Sequence, residues 1–126
     1  SDEQLENLNF ILKEARTKNI DVSIFFVPIH ESYLKEQNGK TFYNELDLIK
    51  KIFASTTVEE LTYFNNFNVI NKNKDFYEQD FNHINYDAAK LISIDLQNKY
   101  NKIGVKITRE NLSSTVKNLY NIYEKN

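Results

Sequence analysis

Val22-Ser23-Ile24-Phe25-Phe26-Val27-Pro28 is the run on which the fold turns. It is short, rich in β-branched and aromatic residues, and apolar on both faces, with Pro28 as its stop. A strand with two apolar faces is covered on both sides, which is how the strands of a parallel sheet read. Upstream, Leu5, Leu8, Leu12 and Ala15 recur at helical spacing and predict an amphipathic helix over 3–18, with Asp2 as its N-cap. Asn19-Ile20-Asp21 then turns the chain into the strand. Downstream, a polar loop runs to Gly39, and Phe42, Leu46, Ile49 and Phe53 predict a helix over 40–54. Thr57-x-x-Glu60 has the spacing of a box that caps a short turn. Phe67-Asn68-Val69-Ile70 is a second, shorter strand candidate, and Asn71 to Asp75 is a polar connection. Ala88, Leu91, Ile92 and Leu96 predict a helix near 86–100. Gly104 breaks it, and Thr108 is the expected N-cap of a last helix over 109–124, which carries Leu112, Val116, Leu119 and Tyr123.

Strands alternating with helices point to βαβ units, hence to one α/β domain over residues 1–126 with a parallel sheet covered on both faces. Two strands are too few for such a sheet. Either further strands are hidden, or the chain is the C-terminal portion of a larger fold. The absence of Met agrees with a processed product or an excised segment. With 40% hydrophobic residues, 8 Tyr and 9 Phe, the chain is able to bury a core. Its net charge of -2 leaves no basic surplus to neutralise phosphates, which argues against a nucleic-acid partner. No apolar run approaches the roughly 18 residues of a transmembrane segment. The lack of Cys removes disulfides, thiolate metal sites and a Cys nucleophile from consideration.

The histidines are His30 and His83, each placed just after a predicted strand, where ligands of parallel α/β sheets bind. His83 has a carboxylate three residues before it. At that spacing Asp80 can accept a hydrogen bond from one imidazole nitrogen, fix the tautomer and leave the other nitrogen to face a hydroxyl nucleophile. The plainer reading is a histidine at a helix start with Asp80 as the cap. His83, Asp80 and Asp87 lack a third ligand at metal spacing, so neither metal nor cofactor is expected. The aromatic run Phe64, Phe67, Phe76, Tyr77, Phe81 and Tyr86 fits a carbohydrate platform or, more commonly, core packing around loops.

Asp80-x-x-His83-x-Asn85-x-x-Ala88-Ala89, opening an amphipathic helix, resembles the last block of the SGNH (GDSL-like) hydrolases and acyltransferases. It is most similar to the envelope proteins that O-acetylate alginate and peptidoglycan or transfer D-alanine to teichoic acids. There the block commonly reads Asp-x-x-His-Leu-Asn-x-x-Gly-Ala; here Ile84 replaces Leu and Ala88 replaces Gly. Phe25-Phe26-Val27-Pro28-Ile29-His30-Glu31-Ser32-Tyr33 is similar to the strand-then-Pro segment of the same proteins. The likeness spans most of 3–100, with about ten specific residues, and residues 101–126 have no counterpart in it.

The resemblance implies a three-layer, flavodoxin-like SGNH sandwich, or its C-terminal part, with His83 as general base, Asp80 as its orienter, and His30 and Asn85 toward the substrate. It also implies an acyl ester substrate or a cell-envelope polymer, an extracytoplasmic setting and a membrane-bound acyl-donor protein. The family's Gly-Asp-Ser nucleophile block is missing, since neither Gly39 nor Gly104 precedes a Ser, and the Gly and Asn oxyanion blocks are not identifiable. The chain alone is therefore expected to be inactive, with the nucleophile lying upstream. The competing expectation is a non-catalytic α/β binding or interaction module.

Overall fold

The leucine spacing near the N-terminus forms helix α1 (Asp2–Thr17), with Asp2 and Glu3 in its first turn and Arg16 in its last. These charges oppose the partial charges of the helix ends. Asp2 sits inside the first turn rather than before it. At the other end Asn19 takes a left-handed φ of 60°. Ile20 N–H donates to the Ala15 carbonyl at 2.8 Å and Asn19 N–H to that of Arg16 at 3.2 Å, which closes the helix. The computed structural model describes residues 2–98 and 102–126.

The Val22–Val27 run gives a shorter strand than expected. Only β1 (Phe25–Phe26) is in the ladder, and it lies at an edge of the order β1-β2-β3. Val22 and Val27 are 44% and 51% exposed, so the run is not covered on both sides. Among the described residues nothing pairs with its outer edge. The centre of the sheet is β2 (Glu60–Tyr63), buried except at Glu60. Its first residue, Glu60, belongs to the strand and not to a capping box, and the run is too short to show an alternating pattern. β1 pairs with β2 in parallel, Phe25 opposite Thr62. β3 (Val105–Thr108) pairs with β2 antiparallel, Leu61 opposite Ile107. The chain is thus α/β with a mixed, not an all-parallel, sheet.

Helix α2 (Glu31–Ser55) starts earlier than predicted and is interrupted, because Gln37, Asn38 and Gly39 are all left-handed. Its face of Phe42, Leu46, Ile49 and Phe53 is buried. Phe67–Ile70 is not a strand. Phe67 turns the chain with a φ of 59°, and Asn68 and Asn71 cap a short helix α3 (Val69–Lys72) reciprocally. Two asparagine caps outweigh the β preference of Val69 and Ile70. Helix α4 (Tyr86–Gln97) covers most of the predicted 86–100, whose last two residues lie outside those described. Thr108 ends β3 instead of starting a helix; Asn111 precedes helix α5 (Leu112–Lys125).

One core cluster joins α2, β2, β3 and α5 through Phe42, Leu46, Ile49, Leu61, Ile107 and Leu119. A second, of Phe64, Ile70, Tyr77, Ala88 and Ile92, seats α4. Gly104 leads into β3 because a Cβ there would meet Thr62 Cγ2 at 2.5 Å and Phe64 Cε1 at 2.7 Å. Of the aromatic run, Phe64, Phe67 and Tyr77 are core, whereas Phe81 and Tyr86 are exposed. No described helix is long and apolar enough to cross a membrane.

Candidate functional site

Because β1 and β2 are parallel, the segments that follow them, Val27–His30 and Phe64–Asn68, leave the sheet at the same end. Asn65 and Asn71 are fully buried and lock them together. Asn65 Oδ1 accepts from Ile29 N–H at 2.9 Å and from Asn71 Nδ2 at 3.0 Å. Asn71 Nδ2 also donates to the Ile29 carbonyl at 2.9 Å. Beneath them Glu45 Oε1 accepts from Tyr63 Oη at 2.8 Å and Asn65 Nδ2 at 2.9 Å. Burial raises the Glu45 pKa, and those two donors offset part of the rise. These polar groups fix Ile29, and with it His30.

His30 is the N-cap of α2, its Nδ1 accepting from Ser32 N–H at 3.2 Å and lying 2.8 Å from Ser32 Oγ. With Nδ1 as acceptor, the ring proton belongs on Nε2. The ring meets Tyr77 and Phe81, each with centroids 5.7 Å away. The Tyr77 hydroxyl is buried and makes no hydrogen bond of ordinary geometry. Burial pushes its pKa up, and the nearby Asn71 side chain pulls it back only in part.

Residues 78–83 form a turn that closes on itself. Glu78 N–H donates to the His83 carbonyl at 2.8 Å and Phe81 N–H to the Glu78 carbonyl at 2.9 Å, next to the Tyr77–Ile84 bridge. Phe81 holds a left-handed φ of 58°, which costs a non-glycine residue about 1–2 kcal/mol. Asp80 Oδ1 accepts from the backbone N–H of Asn82 and of His83, both at 3.0 Å. Its Oδ2 lies 2.5 Å from His83 Nδ1. An ionised carboxylate only accepts, so Nδ1 carries the proton and Nε2 presents a lone pair. The His83 side chain is 74% exposed, so that lone pair faces open surface. The His83 imidazole, then the two backbone N–H groups, lower the Asp80 pKa from 3.8 to about 2.

The predicted site residues divide accordingly. Asp80 and His83 are bonded to each other. His30 is beside their loop, its N–H 3.4 Å from the Phe81 carbonyl. His83, however, follows α3 and a short 3-10 turn (Lys74–Phe76), not a strand. Asn85 has its side chain committed to the fold: Oδ1 caps α4 through Ala88 N–H at 3.1 Å, and Nδ2 donates to the Asp75 carbonyl at 2.6 Å. Tyr33, which the sequence did not single out, donates from Oη to the Asp80 carbonyl at 2.8 Å. A surface cleft of about 400 Å³ lined by Leu12, Ile20, Val22, Ile24 and Val58 adjoins the starts of β1 and β2, the sheet end away from His83. Its lining also carries Arg16, Asp21, Glu59 and Glu60, and neither His30 nor His83 is part of it. Among the described residues no cluster of three or more His, Cys, Asp or Glu is placed to hold a metal ion. No family model, curated protein or solved structure matches the chain.

Proposed function

We propose that the chain is the C-terminal portion of an SGNH-like, three-layer serine acyl esterase or transferase that acts on O-acyl groups of a cell-envelope polysaccharide. The observation that carries this reading is the Asp80–His83 bond at the C-terminal end of the β1–β2 pair, with Nε2 left free. The edge of β1, which no strand pairs with among the described residues, supports it by leaving room for a further strand. The nucleophilic serine and oxyanion donors would come from sequence outside this chain.

In that assembly the serine hydroxyl attacks an ester carbonyl as His83 Nε2 takes its proton. The imidazolium, held by Asp80, then gives the proton to the departing alkoxide, leaving an acyl-enzyme. A sugar hydroxyl, or water, gives its proton to His83 and attacks the acyl carbon, and the serine recovers its proton from His83. The setting is extracytoplasmic, with a membrane-bound protein as acyl donor.

The test is hydrolysis of a fluorogenic acetyl ester, first by the 126-residue chain, then by the longest polypeptide that contains it. The short chain is expected to match its His83→Ala variant. Turnover well above that control would sink the incomplete-site reading. The longer polypeptide is expected to carry a Gly-Asp-Ser block and to lose about 1,000-fold or more of its activity on His83→Ala. A second reading, a non-catalytic interaction module, draws on the two backbone bonds to Asp80 Oδ1, which would hold this turn with no chemistry at all. It predicts an inactive longer polypeptide.

A further inference from the structure

Asp80 and His83 are largely exposed side chains on a turn, so core packing does not hold them in register. Their mutual geometry depends on the backbone of 80–83, above all on the peptide between Asp80 and Phe81. That peptide sits beside a left-handed φ that a phenylalanine rarely adopts. Its N–H, on Phe81, is held inside the turn by the Glu78 carbonyl. Its carbonyl, on Asp80, is held from 47 residues away by Tyr33 Oη at 2.8 Å. The other described bond reaching this turn from outside, His30 N–H to the Phe81 carbonyl, is long at 3.4 Å. Tyr33 is itself well anchored: its N–H donates to the His30 carbonyl at 2.9 Å, and Leu34 beside it is fully buried.

We infer that Tyr33 is a positioning residue for the Asp80–His83 pair, its hydroxyl fixing the peptide from which the Asp80 carboxylate reaches His83 Nδ1. This rests on the reading of His83 as the base in the proposed function. Tyr33 touches neither substrate nor reacting atom in this role. It acts by keeping the imidazole in the Nδ1–H tautomer, with Nε2 available to take a proton. Tautomer choice follows whichever nitrogen has the better partner, so a slackened Asp80 returns the proton to a mixture of sites.

Tyr33→Phe removes the hydroxyl and keeps the ring, so the fold is expected to survive. The readout is imidazole ¹⁵N NMR on the intact chain near neutral pH. With His30 and His83 as the histidines, His30→Gln and His83→Gln variants assign the signals. The wild type is expected to show His83 as the Nδ1–H tautomer. Tyr33→Phe is expected to lower the ratio of that tautomer to its alternative about fivefold, the loss of one ordinary hydrogen bond. The carboxyl ¹³C titration of Asp80 is expected to move up from about 2. Signals from the α2–α5 core should stay in place. Unchanged His83 tautomer and Asp80 midpoint in a folded Tyr33→Phe chain would overturn the inference. An inactive longer polypeptide that shows the tautomer change would sink the acyl-transfer reading alone. An active one without the change would sink only the role of Tyr33.

Discussion

At the scale of single residues, Asp80 makes the most direct pH statement. Its folded pKa, about 2, lies below its ordinary 3.8. A carboxylate lowered on folding adds stability above its unfolded pKa and loses that stability as pH falls through the folded one. The window is therefore about pH 4 down to pH 2. His83→Ala is expected to bring the Asp80 midpoint part of the way back to 3.8, since the two backbone N–H donors remain; a ¹³C titration reads this directly. Asp80 and His83 could be picked out of the sequence because a local turn is enough to join residues three apart. Tyr33, Asn65 and Asn71 could not. Their partners are 47, 36 and 42 residues away, and no spacing rule reaches across such distances. The same holds for Glu45, which meets Tyr63 and Asn65 from 18 and 20 residues away.

At the scale of elements, the long helices were readable and β1 partly so, whereas β2, β3 and the short helix α3 were not. The buried faces of α2 and α5 each repeat over several turns, whereas β2 and β3 have four residues apiece, below the length at which alternation is visible. The break in α2 ends at Gly39, φ 80°, where a Cβ would meet the Tyr123 hydroxyl at 2.5 Å. Gly39→Ala should cost about 2 kcal/mol or more, from the left-handed backbone and a displaced Tyr123 together. Urea denaturation measures it, and a loss under about 0.5 kcal/mol, the range of a neutral surface change, would mean that the α5 ring yields freely. In the last turn of α4, buried Asp95 accepts from Lys102, Ile103 and Gly104 N–H groups at 2.9, 2.9 and 3.0 Å. Asp95→Ala orphans all of these donors and is expected to destabilise by about 3 kcal/mol. Asp95→Asn, which keeps one acceptor oxygen, should lose less in the same titration.

At the scale of the whole molecule, the two edges of the sheet differ. β3 carries Lys106, paired with Glu60 at 2.8 Å, and a charged edge discourages further pairing. Between Val22 and Ile29 there is no charge at all. The 126-residue chain is therefore expected to self-associate through this edge in light scattering, and Val27→Lys to reduce that association while changing unfolding free energy by no more than about 0.5 kcal/mol. Association that persists unchanged would mean that another surface drives it.

The last helix gives the molecule a property that its contacts alone do not announce. Tyr123 stacks on Phe42, with ring centroids 5.0 Å apart, and meets Tyr43 edge-on. Lys50 Nζ donates to Tyr120 Oη across 70 residues of chain, and Arg109 binds the Phe53 and Thr56 carbonyls at the far end of α2. Segments so distant in sequence meet late, because the entropy of closing a long loop must be overcome before any contact compensates it. The Asp80–His83 turn, local in every bond but those from α2, can form in microseconds on its own terms. The docking of α5 is then expected to be the slow, rate-setting event, which φ-values at Tyr120 and Tyr123 near zero would bear out. Substitutions along the Tyr120–Tyr123 seam should speed unfolding and leave the early turn untouched. The lifetime of the folded domain that carries the site is thus expected to follow residues 109–125, a stretch with no part in its chemistry.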